Sequence, residues 1–331
     1  VAQILEHINI VRRNRPGGRR KVAEATRCRA VEPGDVRAIG VERNERGGRF
    51  DPPAERIPQQ GRAHSLNPMS VESIYRWHDG ELDPLEYCDM ADTVIEVADS
   101  WLVTDGTALA LGLHRARFLG SLGSGGGTDI RDTTDADAFW DAVVALIPRD
   151  GDWFPRVELQ NRSGARLLVF RLRSAPDRTN NITVTTWREA DPRTTPRIKG
   201  PDLAAMTRVR TAIQPLGAGE AILLENGFVV EGAYSGLLWW RGDILCGPPA
   251  EFDRVDSVTV RSVLTLATAL GVETYGEPVT PAELEGTELW SLNALHGIRI
   301  VTNWVDGVAL AQKPGRLATW RARLDALRKP I

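Results

Sequence analysis

The sequence predicts a mixed α/β globular protein, and three observations carry that reading. Beyond Met69, short segments of alternating apolar residues, punctuated by Asp-Gly, Ser-Gly and Asn-Gly pairs, are interspersed with amphipathic segments of helical period, and no internal repeat runs through them. A chain of 331 residues with 42% hydrophobic content can bury the core of two domains or of one large one. No apolar run approaches the roughly 20 residues that span a bilayer, and no signal-type segment opens the chain. The expected location is therefore the cytoplasm, with no membrane partner.

Residues 1–68 stand apart. They hold thirteen Arg and one Lys against eight acidic residues, in a chain whose net charge is -3. An Arg-rich arm can be a nucleic-acid tail, but stretches such as GVERNERGGRFDPPAER mix the signs, lack aromatic interleaving for base stacking and follow no helical or strand period. Disorder is the expectation, with no nucleic-acid partner. The first methionine is Met69, in NPMSVESIYRW, which raises the expectation that 1–68 is an upstream extension absent from the working protein.

From Thr93, TVIEVADSWLVTDGTALAL reads as strand, turn and strand, with Asp105-Gly106 as the hairpin signal. LHRARFLGSL starts a short helix that GSLGSGGGTDIRD breaks; this glycine cluster lacks the Gly-Lys-Ser/Thr ending of a phosphate loop and reads as a flexible connection. DADAFWDAVVALIP is helical by the spacing of Phe139, Val143 and Ile147, and VELQNRSGARLLVFRLR is a hairpin about Ser163-Gly164. The polar stretch SAPDRTNN, residues 174–181, is the candidate linker between a small α/β domain, 69–173, and a larger one, 182–331. NITVTTWRE is a strand, and Pro201-Asp202 starts a helix whose face is Leu203, Met206, Val209 and Ile213. AILLENGFVVEGAYSGLLWWRGDILCGPP reads as three strands. RVDSVTVRSVLTLATALG is a helix capped by Ser257 or Asp256, with Val263, Leu264, Leu266, Ala267 and Leu270 towards the core.

Chemistry is concentrated in the last part. The chain writes thirty-seven arginines and four lysines, and Lys199 is one of the four, in the loop between a strand and a helix. A lysine amine can lose its proton and act as a nucleophile, which a guanidinium cannot. Glu231 interrupts the apolar run FVVEGAYSGLLWW, where an unpaired carboxylate would cost several kcal/mol to bury; the alternative is an edge strand with Glu231 facing water. Ser257-Val258-Thr259 opens a helix with free N–H groups and a hydroxyl, equipment suited to a phosphate. Cys28, Cys88 and Cys246 lie far apart with no paired spacing, so neither a disulfide nor a metal site is expected.

Together these pieces resemble the class IV aminotransferases, pyridoxal-phosphate enzymes of fold type IV that include branched-chain and D-amino-acid aminotransferases and 4-amino-4-deoxychorismate lyase. The resemblance runs from about Thr93 to Gly307. It implies a two-domain fold like that of D-amino-acid aminotransferase, pyridoxal 5'-phosphate as cofactor, a small amino-acid-like substrate and a homodimer. In that family a lysine ahead of a helix binds the cofactor covalently, and a glutamate in a V-x-E-G strand pairs with the pyridine nitrogen; Lys199 and Glu231 match in order and spacing. The phosphate-holding helix start corresponds to Ser257-Val258-Thr259, and the arginine of the H-x-x-R-L element to Arg117, in His114-Arg115-Ala116-Arg117-Phe118. The T-N-S-L element becomes Leu292-Asn293-Ala294-Leu295, which places Asn293 and Ala294 beside the cofactor without two hydroxyls. The G-D-G-x-F-E segment is replaced by IEVADSW, and the S-N after the glutamate by Ser235-Gly236.

The Asn293-Ala294-Leu295 sequence looks like the lyase branch, which eliminates pyruvate to leave p-aminobenzoate for folate synthesis. A transaminase of a D- or branched-chain amino acid is the alternative, and a cofactor-binding relative without catalysis is a third, opposed by the presence of both Lys199 and Glu231. Arg193, Arg197, His296 and Arg299 are the candidates for holding the substrate carboxylate.

Overall fold

The computed structural model describes residues 72–85, 93–123 and 133–331, all within the compact unit His64–Ile331. The Arg-rich arm expected at 1–68 and most of the glycine-rich connection lie outside the described residues.

Alternation and turn chemistry build a first, antiparallel sheet in the order β2 (Glu81–Leu85), β1 (Glu72–His78), β8 (Ala165–Arg173), β7 (Arg156–Arg162), β3 (Thr93–Ser100). The β7–β8 turn is Ser163-Gly164, with φ of 50° and 88°, and Asp105-Gly106 turns with φ of 44° and 69°. Paired left-handed residues match the twist of a two-residue hairpin. The second of these turns joins β4 (Val103–Thr104) to β5 (Thr107–Ala108), in a small sheet with β6 (Asp152–Trp153) and the C-terminal β17 (Lys329–Pro330). Helices α1 (Leu111–Ser121) and α2 (Thr133–Leu146) cover the first sheet. Phe118, Phe139, Trp140, Val143 and Ile147 pack there with Val157, Leu159 and Phe170, as the helical spacing requires.

The second sheet has eight strands, in the order β11 (Phe228–Gly232), β10 (Glu220–Glu225), β9 (Asn181–Thr186), β16 (Gly297–Val305), β15 (Glu288–Asn293), β12 (Gly236–Arg241), β13 (Ile244–Gly247), β14 (Thr274–Gly276). β9 runs parallel to both neighbours, so the chain leaves the sheet after β9 and returns to β10 through the crossover helix α3 (Leu203–Ile213). Both faces are covered, which explains the unbroken apolar text GLLWW. Leu237 and Trp239 point into one cluster with Val184 and Leu289. Leu238 and Trp240 point into the other, with Trp290, Val263 of α4 (Val258–Ala269) and Trp320 of α5 (Arg316–Asp325). Trp240, Trp290 and Trp320 meet edge to face with centroids 5.4, 5.5 and 5.7 Å apart.

Two expectations are corrected. The text expected as three strands forms four, because FVVEGAYSGLLWW breaks between Gly232 and Ser235: Gly232 N–H donates to Ser235 O at 2.7 Å, and a Cβ on Gly232 would lie 2.5 Å from Ser235 Oγ. Leu270 is 42% exposed instead of buried, because α4 ends at Ala269 and Leu270 is its C-cap. Residues 174–180 lead from the first sheet into β9, which starts at Asn181, and we propose the stretch 174–181 as the boundary between a smaller domain, 69–173, and a larger one, 182–331.

Candidate active site

Lys199 lies in the β9–α3 connection, and the local sequence fixes that loop from two sides. Asp202 accepts from the backbone N–H groups of Thr194 and Thr195, both at 2.9 Å, and from their hydroxyls. Ala98 N–H of β3 donates to Lys199 O at 2.7 Å. This close approach of two backbones demands a glycine next: Gly200 has φ of +130°, and a Cβ there would lie 2.4 Å from Ala98 N. Lys199 is thereby held where the first sheet meets the second.

The cavity at this junction is lined by Lys199, Glu231, Arg117, Ser257, Val258, Thr259, Asn293 and Ala294, so the residues expected around the cofactor line one space. The lysine keeps some exposure to the cavity while its amine is withdrawn from bulk water. That desolvation pushes its pKa below the usual value, and the Arg117 charge adds to the effect, with Asp99 and Glu231 opposing.

A cationic group lines the cavity. Arg117 donates through Nε and Nη2 to the two oxygens of Asp99, at 2.7 and 2.8 Å, and through Nη1 to Asp256 O at 2.8 Å. His114 Nδ1 lies 2.8 Å from Asp99 Oδ1, and Ser100 N–H donates to the same oxygen at 2.7 Å. Burial pushes Asp99 up, but His114 and Arg117 outweigh it and hold the carboxyl well below its usual range. His114 is pushed down by its own burial, with the Asp99 charge pulling the other way. Beside Arg117, Ser257 caps α4 by accepting from Val260 N at 3.3 Å. The N–H groups of Val258 and Thr259 belong to the first turn, where no intrahelical acceptor exists. Gly236 allows β12 to pass here, since a Cβ would lie 2.5 Å from Val260 Cγ2.

Glu231 faces the cavity from β11. That strand is at the sheet edge, yet Glu231 is only 5% exposed, so the edge-strand alternative is half right and the water-facing one is not. Its Oε1 accepts from Val255 N at 3.1 Å and from Arg193 Nη1; among the described residues nothing donates to Oε2. Burial pushes its pKa up to about 7 against the pull of Arg193 and the Val255 N–H.

The cavity therefore offers an arginine beside a helix N-terminus, a lysine with a weakened proton and a carboxylate with an open oxygen. Pyridoxal phosphate fits this donor set: a phosphate for Arg117 and α4, an aldehyde for Lys199 and a ring nitrogen for Glu231. Among the described residues no group of side chains could hold a metal ion, and no helix is long and apolar enough to cross a membrane.

Fold and cavity together define a pyridoxal-phosphate enzyme of fold type IV. The model of the amino-transferase class IV family matches residues 96–304, and the chain belongs to that family. Its fold is similar to a fold IV-transaminase from Curtobacterium pusillum, at 18% identity over 77% of this chain and 97% of the other, with a TM-score of 0.66. A hypothetical aminotransferase from Mycobacterium tuberculosis in its PLP-bound form is similar at 20% identity over 78% and 98% of the two chains, with a TM-score of 0.61. A protein described as a candidate 4-amino-4-deoxychorismate lyase from Legionella pneumophila is similar at 14% identity over 71% and 91%, with a TM-score of 0.60. Identities this low carry the fold and nothing finer. No curated protein matches the chain by sequence.

One residue beside the cavity was missed in the sequence, and another was given a different task. Asp99, in the stretch IEVADSW, shares its strand with a second acid, Glu96, so the isolated-acid signal that drew attention to Glu231 is absent there, and only its burial sets it apart. Arg193 was expected among the candidates for a substrate carboxylate, but its side chain is fastened to Asp191 and Glu231. Of the other candidates, Arg197 is 60% exposed and pairs with Asp253. Arg299 is buried against Ser291 and Glu220. His296 accepts from Thr179 N–H at 3.2 Å and lines an adjoining cavity that includes Asn293 and Ala294.

Proposed function

We propose that this chain is a lyase similar in reaction to 4-amino-4-deoxychorismate lyase, expelling pyruvate from an amino-bearing substrate to leave p-aminobenzoate. The supporting observation is the turn at Asn293-Ala294. Asn293 Oδ1 accepts from the N–H groups of Leu295 and His296, at 3.2 and 2.9 Å, so its carbonyl oxygen serves the turn itself, and Ala294 brings no hydroxyl to the cavity that both residues line. That wall matches the sequence by which the chain resembles the lyase branch.

The residues have distinct tasks in this reading. Arg117 and the first turn of α4 would hold the cofactor phosphate, Glu231 the ring nitrogen and Lys199 the aldehyde carbon. When bound, pyridoxal phosphate supplies that aldehyde and a protonated ring able to accept an electron pair. Lys199 Nζ, its proton weakened by desolvation, takes the proton from the substrate carbon next to the amino group. Glu231 would keep a negative charge beside the ring nitrogen and so hold a proton on it. The Asp99–Arg117 fork keeps the phosphate end still while this happens. The same reading takes the protein as a cytoplasmic homodimer, checked for assembly by sedimentation of the full chain.

The second reading is a transaminase of a D- or branched-chain amino acid, supported by the transaminase named among the fold neighbours. Aminodeoxychorismate given to the cofactor-loaded full chain without any 2-oxo acid separates the two. Pyruvate release over many turnovers is expected. Silence towards aminodeoxychorismate, together with consumption of D-alanine or leucine only when 2-oxoglutarate is present, would replace the lyase reading by the transaminase. Inactivity with both would leave a cofactor-binding protein.

A further inference from the structure

We infer that Arg193, clamped by Asp191, is a positioning residue: it holds Glu231 ionised and fixed by one oxygen, so that the other can keep the cofactor's ring nitrogen protonated. This rests on the reading of Glu231 as the partner of that nitrogen.

The geometry is specific. Arg193 Nε donates to both oxygens of Asp191, each at 3.0 Å, Nη2 donates to Oδ2 at 2.6 Å, and the Arg193 backbone N–H donates to Oδ1 at 3.0 Å. Nη2 also reaches Asp253 O at 3.4 Å. One guanidinium edge is thus immobilised by a carboxylate only two residues away, and the remaining nitrogen, Nη1, is the one directed at Glu231. Both side chains of that pair are 6% exposed, which separates it from the exposed pairs on this protein that water and salt weaken. A lysine could contact Glu231 but could not hold the fork on Asp191 at the same time.

The other groups facing Glu231 cannot do this task. From the segment before α4 come the Val255 N–H, which carries no net charge, and Arg254, whose Nη2 is turned to Pro248 O and Pro249 O. Lys199 also acts on Glu231 electrostatically, but its amine is driven towards the neutral form by desolvation and is the group that takes the substrate's proton. Arg193 therefore provides the hydrogen-bonded positive charge. Even with it, burial leaves Glu231 poised near neutrality, with a pKa of about 7. Without it the proton would reside on the carboxyl, and the ring nitrogen would face a neutral acid. With it the charges balance in pairs: Asp191 against Arg193, and Glu231 against the protonated ring.

The test reads the ring nitrogen directly. Full-chain protein loaded with ring-15N pyridoxal phosphate is compared at pH 7.5 as wild type, Arg193→Ala, Arg193→Lys and Glu231→Gln, with melting curves of each cofactor-free form to establish folding. Wild type should show the protonated nitrogen shift. Arg193→Ala and Glu231→Gln should show the unprotonated one, and Arg193→Lys should recover part of the wild-type signal. In cofactor-free protein, Arg193→Ala should raise the pH at which Glu231 ionises by about one unit or more. If Arg193→Ala fails to fold, Asp191→Asn, which frees the fork while keeping the charge, should weaken the protonated signal. A protonated shift in Arg193→Ala, or in Asp191→Asn where only that variant folds, overturns the inference. A protonated shift in Glu231→Gln instead overturns the assignment of Glu231 beneath it.

Discussion

The first sheet and the second each bury one carboxylate beside the same cavity, and the two are driven in opposite directions. Asp99 of β3 is 1% exposed and Glu231 of β11 is 5% exposed; each meets an arginine. Burial disfavours ionisation of both. Asp99 nevertheless sits well below its usual range, and Glu231 well above. The difference lies in how many donors reach each group. Asp99 takes two N–H bonds from Arg117, one from the His114 ring and one from Ser100 N–H, across both of its oxygens. Glu231 takes two bonds, both on Oε1. A carboxylate with donors on both of its oxygens is an anchor, and one with an oxygen left open can be a reagent.

Removing the anchor should have the largest effect. Asp99→Asn leaves Arg117 facing a neutral amide in a buried setting, and we expect a loss of about 3–5 kcal/mol of stability, read from denaturant unfolding. Loss of only a few tenths would show that the two sites differ less than their geometry says. Glu231→Gln should act the other way round: unfolding free energy unchanged or raised near pH 7.5, cofactor still bound, and turnover down by about 10²-fold, seen in steady-state kinetics. Turnover equal to wild type would remove Glu231 from the chemistry.

The pH dependence of cofactor-free protein sharpens the contrast. Glu231 has a folded-state pKa raised from 4.5 to about 7, so the stability it contributes is full below pH 4.5 and lost as pH rises through 7. Wild type should therefore weaken relative to Glu231→Gln between those two values. Asp99 has a depressed value, so its contribution is present above about pH 3.8 and is lost as pH falls below it. Melting temperatures of Asp99→Asn and wild type should accordingly converge in acid. Parallel curves for Glu231→Gln and wild type from pH 4.5 to 7 would mean that the carboxyl is already charged throughout.

The smallest effect is expected at His296. Burial, with Arg299 and Arg321 nearby, pushes its pKa down to about 4, so its contribution is present above pH 6.5 and lost as pH falls through 4. His296→Asn should flatten the acid limb of the melting profile slightly. An unchanged limb would place the ring in a setting as open as water.

Much of this protein was determined by its sequence. Turn pairs such as Ser163-Gly164, the apolar face of Phe139, Val143 and Ile147, and the cap at Ser257 are local, because hairpin twist, helical period and capping act over a few residues. The residues expected at the cavity were legible because family-like order and spacing tie Arg117, Lys199, Glu231 and the start of α4 together. Tertiary structure alone decided what those residues touch. The break at Gly232 follows from a side chain that would strike Ser235, and the four donors on Asp99 come from neighbours up to eighteen residues away. Arg193 reads in the sequence as one candidate partner of a substrate carboxylate, and it is bound to Glu231 across thirty-eight residues because α3 carries the chain from β9 back to the neighbouring strand β10. Ionisation depends on burial and on the number of donors a group can reach, and both are set by which segments the fold brings together.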